Sequence, residues 1–186
     1  MLDAKNMAPA TSGNYSMRLD DGSIAMTVSG FHKGRLVNDN IMRIDHEGRP
    51  LENKKPSAET ALHIQVYSKY PNAKAILHVH SVPGCVLSRL TNEDIELKGY
   101  EMLKVFPGIE THETSVTIPS VANSQNMNTL SAELESKLKD DTPAYLIRDH
   151  GFYVWGRDMN EALNICEGLE YLLTCEVELY KARRAA

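Results

Sequence analysis

Residues 14–30 read NYSMRLDDGSIAMTVSG, two short alternating runs joined at Asp21-Gly22. Asp-Gly between alternating runs signals a tight hairpin turn. A hairpin this early restricts everything downstream. The later strands and helices alternate irregularly, which favours a mixed α/β layered domain over a doubly wound parallel sheet. The chain has 186 residues, enough for one full hydrophobic core, so one domain over 1–186 is expected.

The remaining elements follow from period and punctuation. NIMRID (40–45) reads as a strand. A helix is expected to start at Ser57 as its N-cap, with Ala61, Leu62, Ile64, Val66 and Tyr67 toward the core, and to end at Pro71. KAILHVHS reads as a buried strand and GCVLSRL as a short helix. SVTIPS (115–120) reads as a strand and 127–138 as a helix. AYLIRDH and FYVWG are strands around a turn at His150-Gly151. Asp158 caps a long helix reaching about Lys181.

Within KAILHVHS, His78 and His80 are two residues apart. On a strand that spacing puts both rings on one face, with Leu77 and Val79 on the other, so the pair is placed to chelate. A catalytic zinc site usually takes three protein ligands and keeps one position open. The candidates for the third are His32, His46, His63, His112 and His150. His46 lies in a polar turn and His63 reads as a helix-surface residue. His150 is favoured, because it ends an apolar strand and Gly151 lets the backbone turn; His112 comes second. A bare H-x-H pair is equally a pair of hydrogen-bonded strand-end residues.

Two carboxylates stand out. Glu59 lies in the first turn of the expected helix, where a helix-dipole charge is the simpler explanation. Glu101, in KGYEMLKVF, is either exposed on an amphipathic face or partly buried, where its pKa would rise and suit proton transfer. Two glycine-bearing loops, TSGN (11–14) and SGFHKG (29–34), offer backbone N–H groups. Gly13, Asn14, Ser29, Gly30 and Lys33 could there hold an anion, joined by Ser57. Each loop alone reads equally well as an ordinary turn.

Several classes are disfavoured. A net charge of -5 argues against nucleic acid as the main partner. No run is long and apolar enough for a membrane span, and the first ten residues hold no apolar signal core, so export is not expected. Cys85, Cys166 and Cys175 are an odd set without paired spacing, which fits a reducing cytoplasm.

Six segments in order, ATSGNYSMR, TVSGFHKGR, KPSAET, LHVHS, GYEMLK and RDHGFYVWG, resemble the class II aldolase/adducin family, most closely its methylthioribulose-1-phosphate dehydratase branch. The resemblance runs from about Ala10 to Tyr171. It implies a three-layer α/β fold, a central and mainly antiparallel sheet flanked by helices. It implies that His78, His80 and His150 hold one Zn²⁺ per subunit, that Glu101 is the acid/base, and that Glu59 falls where related aldolases carry their catalytic glutamate. It implies that the SGN, SG and PS segments hold the substrate phosphate. It also implies homotetramers with active sites at subunit interfaces.

By this resemblance a helix is expected before ATSGN; only ten residues precede Thr11, so here it is expected to be absent or cut to its last turn, and Asp149 stands where the family often has a small or amide residue. The reaction so implied is dehydration of 5-methylthioribulose 1-phosphate to the 2,3-diketo product in methionine salvage. An aldolase acting on another ketose phosphate is the nearer rival. A non-catalytic adducin-like interaction module is the more distant one.

Overall fold

The Asp21-Gly22 turn joins β1 (Asn14–Arg18) to β2 (Ile24–Thr27), and β3 (Ile41–Ile44) pairs with β2. These come from a computed structural model that describes residues 1–139 and 142–185. Helix α1 (Thr60–Lys69) leads to β4 (Ala75–Val79), α2 (Val82–Leu90) and β5 (Ile95–Lys98). A 3-10 turn over Glu101–Val105 precedes β6 (Ser115–Ile118) and β7 (Ser120–Val121). Helix α3 (Met127–Lys137), β8 (Ala144–Ile147), β9 (Gly151–Gly156) and α4 (Met159–Ala185) complete the order.

Seven strands form one sheet in the order β3-β2-β1-β4-β9-β8-β7, antiparallel except for the β7–β8 pair. The mainly antiparallel sheet is therefore as expected. Strand β4 lies at its centre and is buried along its whole length. Leu77 and Val79 join Phe152, Val154 and residues of α4 and α2 in one core. Ile76 faces the other way, with Tyr145, Tyr153, Trp155 and residues of α1 and α3. Helices thus cover both faces, and the histidine face of β4 is as deeply covered as the aliphatic one.

Local details differ from the sequence reading. Helix α1 starts at Thr60 with Glu59 at its N-cap; Ser57 instead accepts the Glu59 N–H at 3.3 Å. Along α1, Ala61 is exposed and Ile64 only partly covered, while His63 is fully buried. Pro119 lacks a backbone N–H, and the SVTIPS run splits there: β6 pairs with β5 in a separate two-stranded sheet, β7 with β8. Strand β5 has no counterpart in the reading. The N-caps of α2 and α4 are side-chain caps, Ser81 accepting from Gly84 N–H and Asp158 from Glu161 N–H. Ahead of β1 lies a 3-10 turn over Asp3–Lys5, with Leu2 and Met7 buried.

Candidate metal centre and active site

Sheet register assembles the floor of the site. Asn14 of β1, His78 of β4 and Tyr153 of β9 are direct cross-strand partners, and Tyr145 of β8 pairs next to Tyr153. All four side chains leave one face of the sheet as a single rung. His78 stacks on Tyr153 with ring centroids 4.1 Å apart, and Tyr153 on Tyr145 at 4.7 Å. His80 continues past the end of β4 on the same side, and the turn between β8 and β9 brings in His150.

That turn works differently from the sequence reading. Asp149, not Gly151, takes the left-handed conformation, with φ 58°. Asp is one of the few side chains that tolerate it. Gly151 is required for another reason: a Cβ there would lie 2.0 Å from the Val79 carbonyl oxygen. Only glycine lets the start of β9 lie this close to β4.

His78, His80 and His150 converge as a group able to hold a metal. The Nε2 atoms of His78 and His150 are 3.3 Å apart, and those of His150 and His80 are 3.1 Å apart. A tetrahedral metal with bonds of about 2.0–2.1 Å to nitrogen spaces its ligand atoms by about 3.3–3.4 Å. His78 Nδ1 lies 3.1 Å from the Phe152 carbonyl, so it carries the proton and leaves Nε2 bare. Burial first, then the neighbouring imidazoles, hold His78 well below its usual pKa and push His80 down to about 4. Three ring nitrogens converging at this spacing, with His78 and His80 held neutral, suit a cation, so the residues present fit the metal.

Glu59 closes the fourth side. Its Oε2 is 3.3 Å from His78 Nε2 and its Oε1 3.3 Å from His150 Nε2. The N-cap position aims it there. Behind it lies a buried polar row. Asn14 Nδ2 donates to Glu59 Oε2 at 2.7 Å, His63 Nε2 meets Asn14 Oδ1, and His63 Nδ1 lies 2.7 Å from Ser16 Oγ. Burial, then His78, pushes His63 down to about 3, so it is neutral in the folded chain.

In front of Glu59, His80 and His150 opens a cavity of about 300 Å³. Gly13, Asn14, Ser29, Gly30, Lys33 and Ser57, the six residues read as an anion site, all line it. Lys33 is buried, and its ammonium donates to the Thr11 and Phe31 carbonyls at 3.0 and 2.6 Å, tying the two glycine loops together. Among the described residues no carboxylate is paired with it. A wall of Asn123, Ser124, Gln125, Met127 and Leu130 was not foreseen: the three loop residues carry no periodic signal, and the helix expected from 127 did not show which cavity its first turn would face.

Glu101 does not join this group. It lies at the start of the 3-10 turn with its side chain 69% exposed, paired with Lys104 and with His112 at 3.5 Å. Lys104 holds its carboxyl below the usual carboxylate range, the reverse of the shift that burial would give. His32, His46 and His112 are likewise apart from the imidazole cluster.

A three-layer α/β fold with three imidazoles, a carboxylate and a cavity lined by a lysine and two glycine-bearing loops at the end of the central strand defines a class of metal-dependent enzymes. The chain belongs to the class II aldolase and adducin N-terminal domain family, which matches residues 1–177. The family is metal-dependent, and the histidine trio is the group here that could hold its ion. Among relatives, a methylthioribulose-1-phosphate dehydratase of Methylococcus capsulatus is 46% identical, over 98% of this chain and 91% of its own length. One of Xanthomonas campestris is 49% identical over 94% and 82%. Among solved structures, YgbL of Escherichia coli, a putative aldolase/epimerase/decarboxylase, superposes with TM-score 0.82 at 26% identity, covering 96% of this chain and 84% of YgbL. L-fuculose-1-phosphate aldolase of Thermus thermophilus shares the fold, with TM-score 0.78 at 23% identity over 100% and 92%.

Proposed function

We propose that the chain is a hydro-lyase that dehydrates 5-methylthioribulose 1-phosphate to 2,3-diketo-5-methylthiopentyl 1-phosphate, a step of methionine salvage. The observation that carries the reading is that His80 and His150 of the imidazole trio, Glu59 and all six anion-site residues line one cavity, with His78 buried directly behind them. The relatives named for this reaction support the substrate. His78, His80 and His150 would hold a divalent ion, which we take as Zn²⁺, and when bound it would supply Lewis acidity to the ketone.

The chain's own groups do the rest. Lys33, the Gly13 and Gly30 loops and Ser57 hold the phosphate and fix the sugar's depth. Glu59 accepts a hydrogen bond from a substrate hydroxyl and sets the reacting carbons against the imidazoles. A carboxylate removes the proton from the carbon beside the ketone. The same group, now protonated, gives that proton to the hydroxyl on the next carbon, which leaves as water. The enol left behind becomes the diketone.

Glu101 is our acid/base carboxylate. Its exposure on its own chain supports a role in a neighbouring subunit's site, within a homotetramer. Mixing Glu101→Gln chains with His78→Ala chains tests this. Each alone should be inactive, and the reassembled mixture should regain up to about a quarter of native turnover, because one site type in four receives both intact parts. A mixture as inactive as its components, with mixed oligomers verified, would remove Glu101 from a shared site. The three free thiols support a cytoplasmic setting. Among the described residues no helix is long and apolar enough to cross a membrane.

Product analysis decides the reaction. Zinc-loaded protein given 5-methylthioribulose 1-phosphate should release water and the diketone with every carbon retained. An aldehyde with a shorter sugar phosphate would point to the aldolase, and a protein that binds no stoichiometric divalent metal and leaves the substrate intact to an interaction module.

A further inference from the structure

The row behind Glu59 is built by two interleaved repeats. Helix α1 presents Tyr67 and His63 at intervals of four residues back toward Glu59 at its N-cap, and β1 presents Ser16 and Asn14 two apart. Four helical residues rise about 6.0 Å and two strand residues about 6.6–6.8 Å, so the two repeats stay in step. The side chains therefore alternate: Tyr67, Ser16, His63, Asn14, Glu59. Tyr67 Oη lies 2.9 Å from Ser16 Oγ, and the contacts from Ser16 onward are those given above.

Glu59 sets the polarity of the whole row. A carboxylate only accepts, so Asn14 must turn its NH₂ to Glu59 and its carbonyl to His63. His63 must then donate from Nε2, which leaves Nδ1 as an acceptor. Ser16 must donate to it, and Ser16 in turn accepts from Tyr67. Reversing any one group sets two acceptors or two donors face to face in a buried row.

We propose that Tyr67, Ser16, His63 and Asn14 form a one-way hydrogen-bond chain that aims the Glu59 carboxylate, with His63 held in its Nε2–H tautomer as the central positioning residue. The proposal rests on the reading that Glu59 touches substrate. It assigns no proton transfer to His63. What the chain does is fix which Glu59 oxygen is tied to Asn14 and hold the carboxylate at one angle to the imidazoles.

The test combines ring-nitrogen NMR of His63 with steady-state kinetics on the metal-loaded protein. The native chain should show the neutral Nε2–H tautomer. Ser16→Ala removes the donor to Nδ1 while Asn14 still accepts from Nε2–H, so the Nε2–H tautomer should persist with the Nδ1 signal shifted toward that of an unbonded ring nitrogen. The substitution should lower kcat about tenfold with KM changed less than about twofold, at native metal content and a melting midpoint within a few degrees. His63→Gln keeps a donor for Asn14 and should stay within about threefold of native kcat, whereas His63→Leu should fall about a hundredfold. Native kcat in Ser16→Ala, or an Nδ1–H signal in the native chain, beside a slow Glu59→Gln, would overturn the chain alone. A Glu59→Gln protein at the native rate would take Glu59 out of the proposed function and leave the chain nothing to aim, overturning both. His63→Gln as slow as His63→Leu would reduce His63 to a packing residue.

Discussion

Gly151→Ala should cost the chain its metal centre as well as much of its stability. The added Cβ would meet the Val79 carbonyl oxygen at 2.0 Å, the Val79 carbonyl carbon at 3.0 Å and the His80 Cα at 3.1 Å. All three are backbone atoms, so no side chain can rotate away. The β4–β9 pair has to part at the end where His80 and His150 face each other across 3.1 Å. Opening it by even one ångström takes the two nitrogens out of reach of a common ion. Overpacking a tight backbone contact between two central strands should destabilise by about 3–5 kcal/mol. Urea unfolding and metal analysis check both parts. A Gly151→Ala chain with native stability and a full complement of metal would mean that the strands accommodate the methyl group. Asp149→Gly is the companion variant: it relaxes a left-handed residue and should change stability by less than about 1 kcal/mol.

This pair of residues also shows where sequence reading stops. The fold brings His150, the favoured third imidazole, beside His78 and His80, but Gly151 serves a close approach and not the turn expected of it. A glycine says that the backbone is special; it does not say whether the reason is a left-handed angle or a neighbour too close for a methyl group. The His78/His80 pair was legible because a strand's period of two is visible in a single run. The two glycine loops, each of which alone reads equally well as an ordinary turn, are brought together at one cavity only by the fold. His63 was not legible. In the helix it looks like one more polar position, and its burial depends on β1 lying alongside, a contact between segments about fifty positions apart. Pro119 was overlooked as a breakpoint, which joined β6 and β7 into one strand. Glu101 marks the other limit: the sequence left an exposed and a partly buried position equally open, and the fold leaves it exposed beside Lys104.

His78→Ala should be the most damaging of the three imidazole substitutions, because His78 has two jobs. Its Nε2 faces the site, while its Nδ1–H serves the Phe152 carbonyl and its ring stacks on Tyr153 in the buried rung. Removing the ring takes away a ligand, opens a cavity beside Tyr153 and leaves a central backbone carbonyl without that donor. Cavity and lost hydrogen bond together should cost about 2–4 kcal/mol. His80 and His150 are only partly buried, so alanine there should cost less stability while abolishing metal retention equally. Turnover should fall by at least about a thousandfold in all three, since Lewis-acid stabilisation contributes several kcal/mol. Thermal unfolding with and without a chelator separates the two jobs. The native protein should lose the stabilisation that bound metal confers. His80→Ala and His150→Ala should unfold at the same temperature with or without chelator, near that of the metal-free native chain, and His78→Ala well below it. If His78→Ala instead matches the other two, the ring is a ligand only, and the stacked rung of Tyr145 and Tyr153 stands without it.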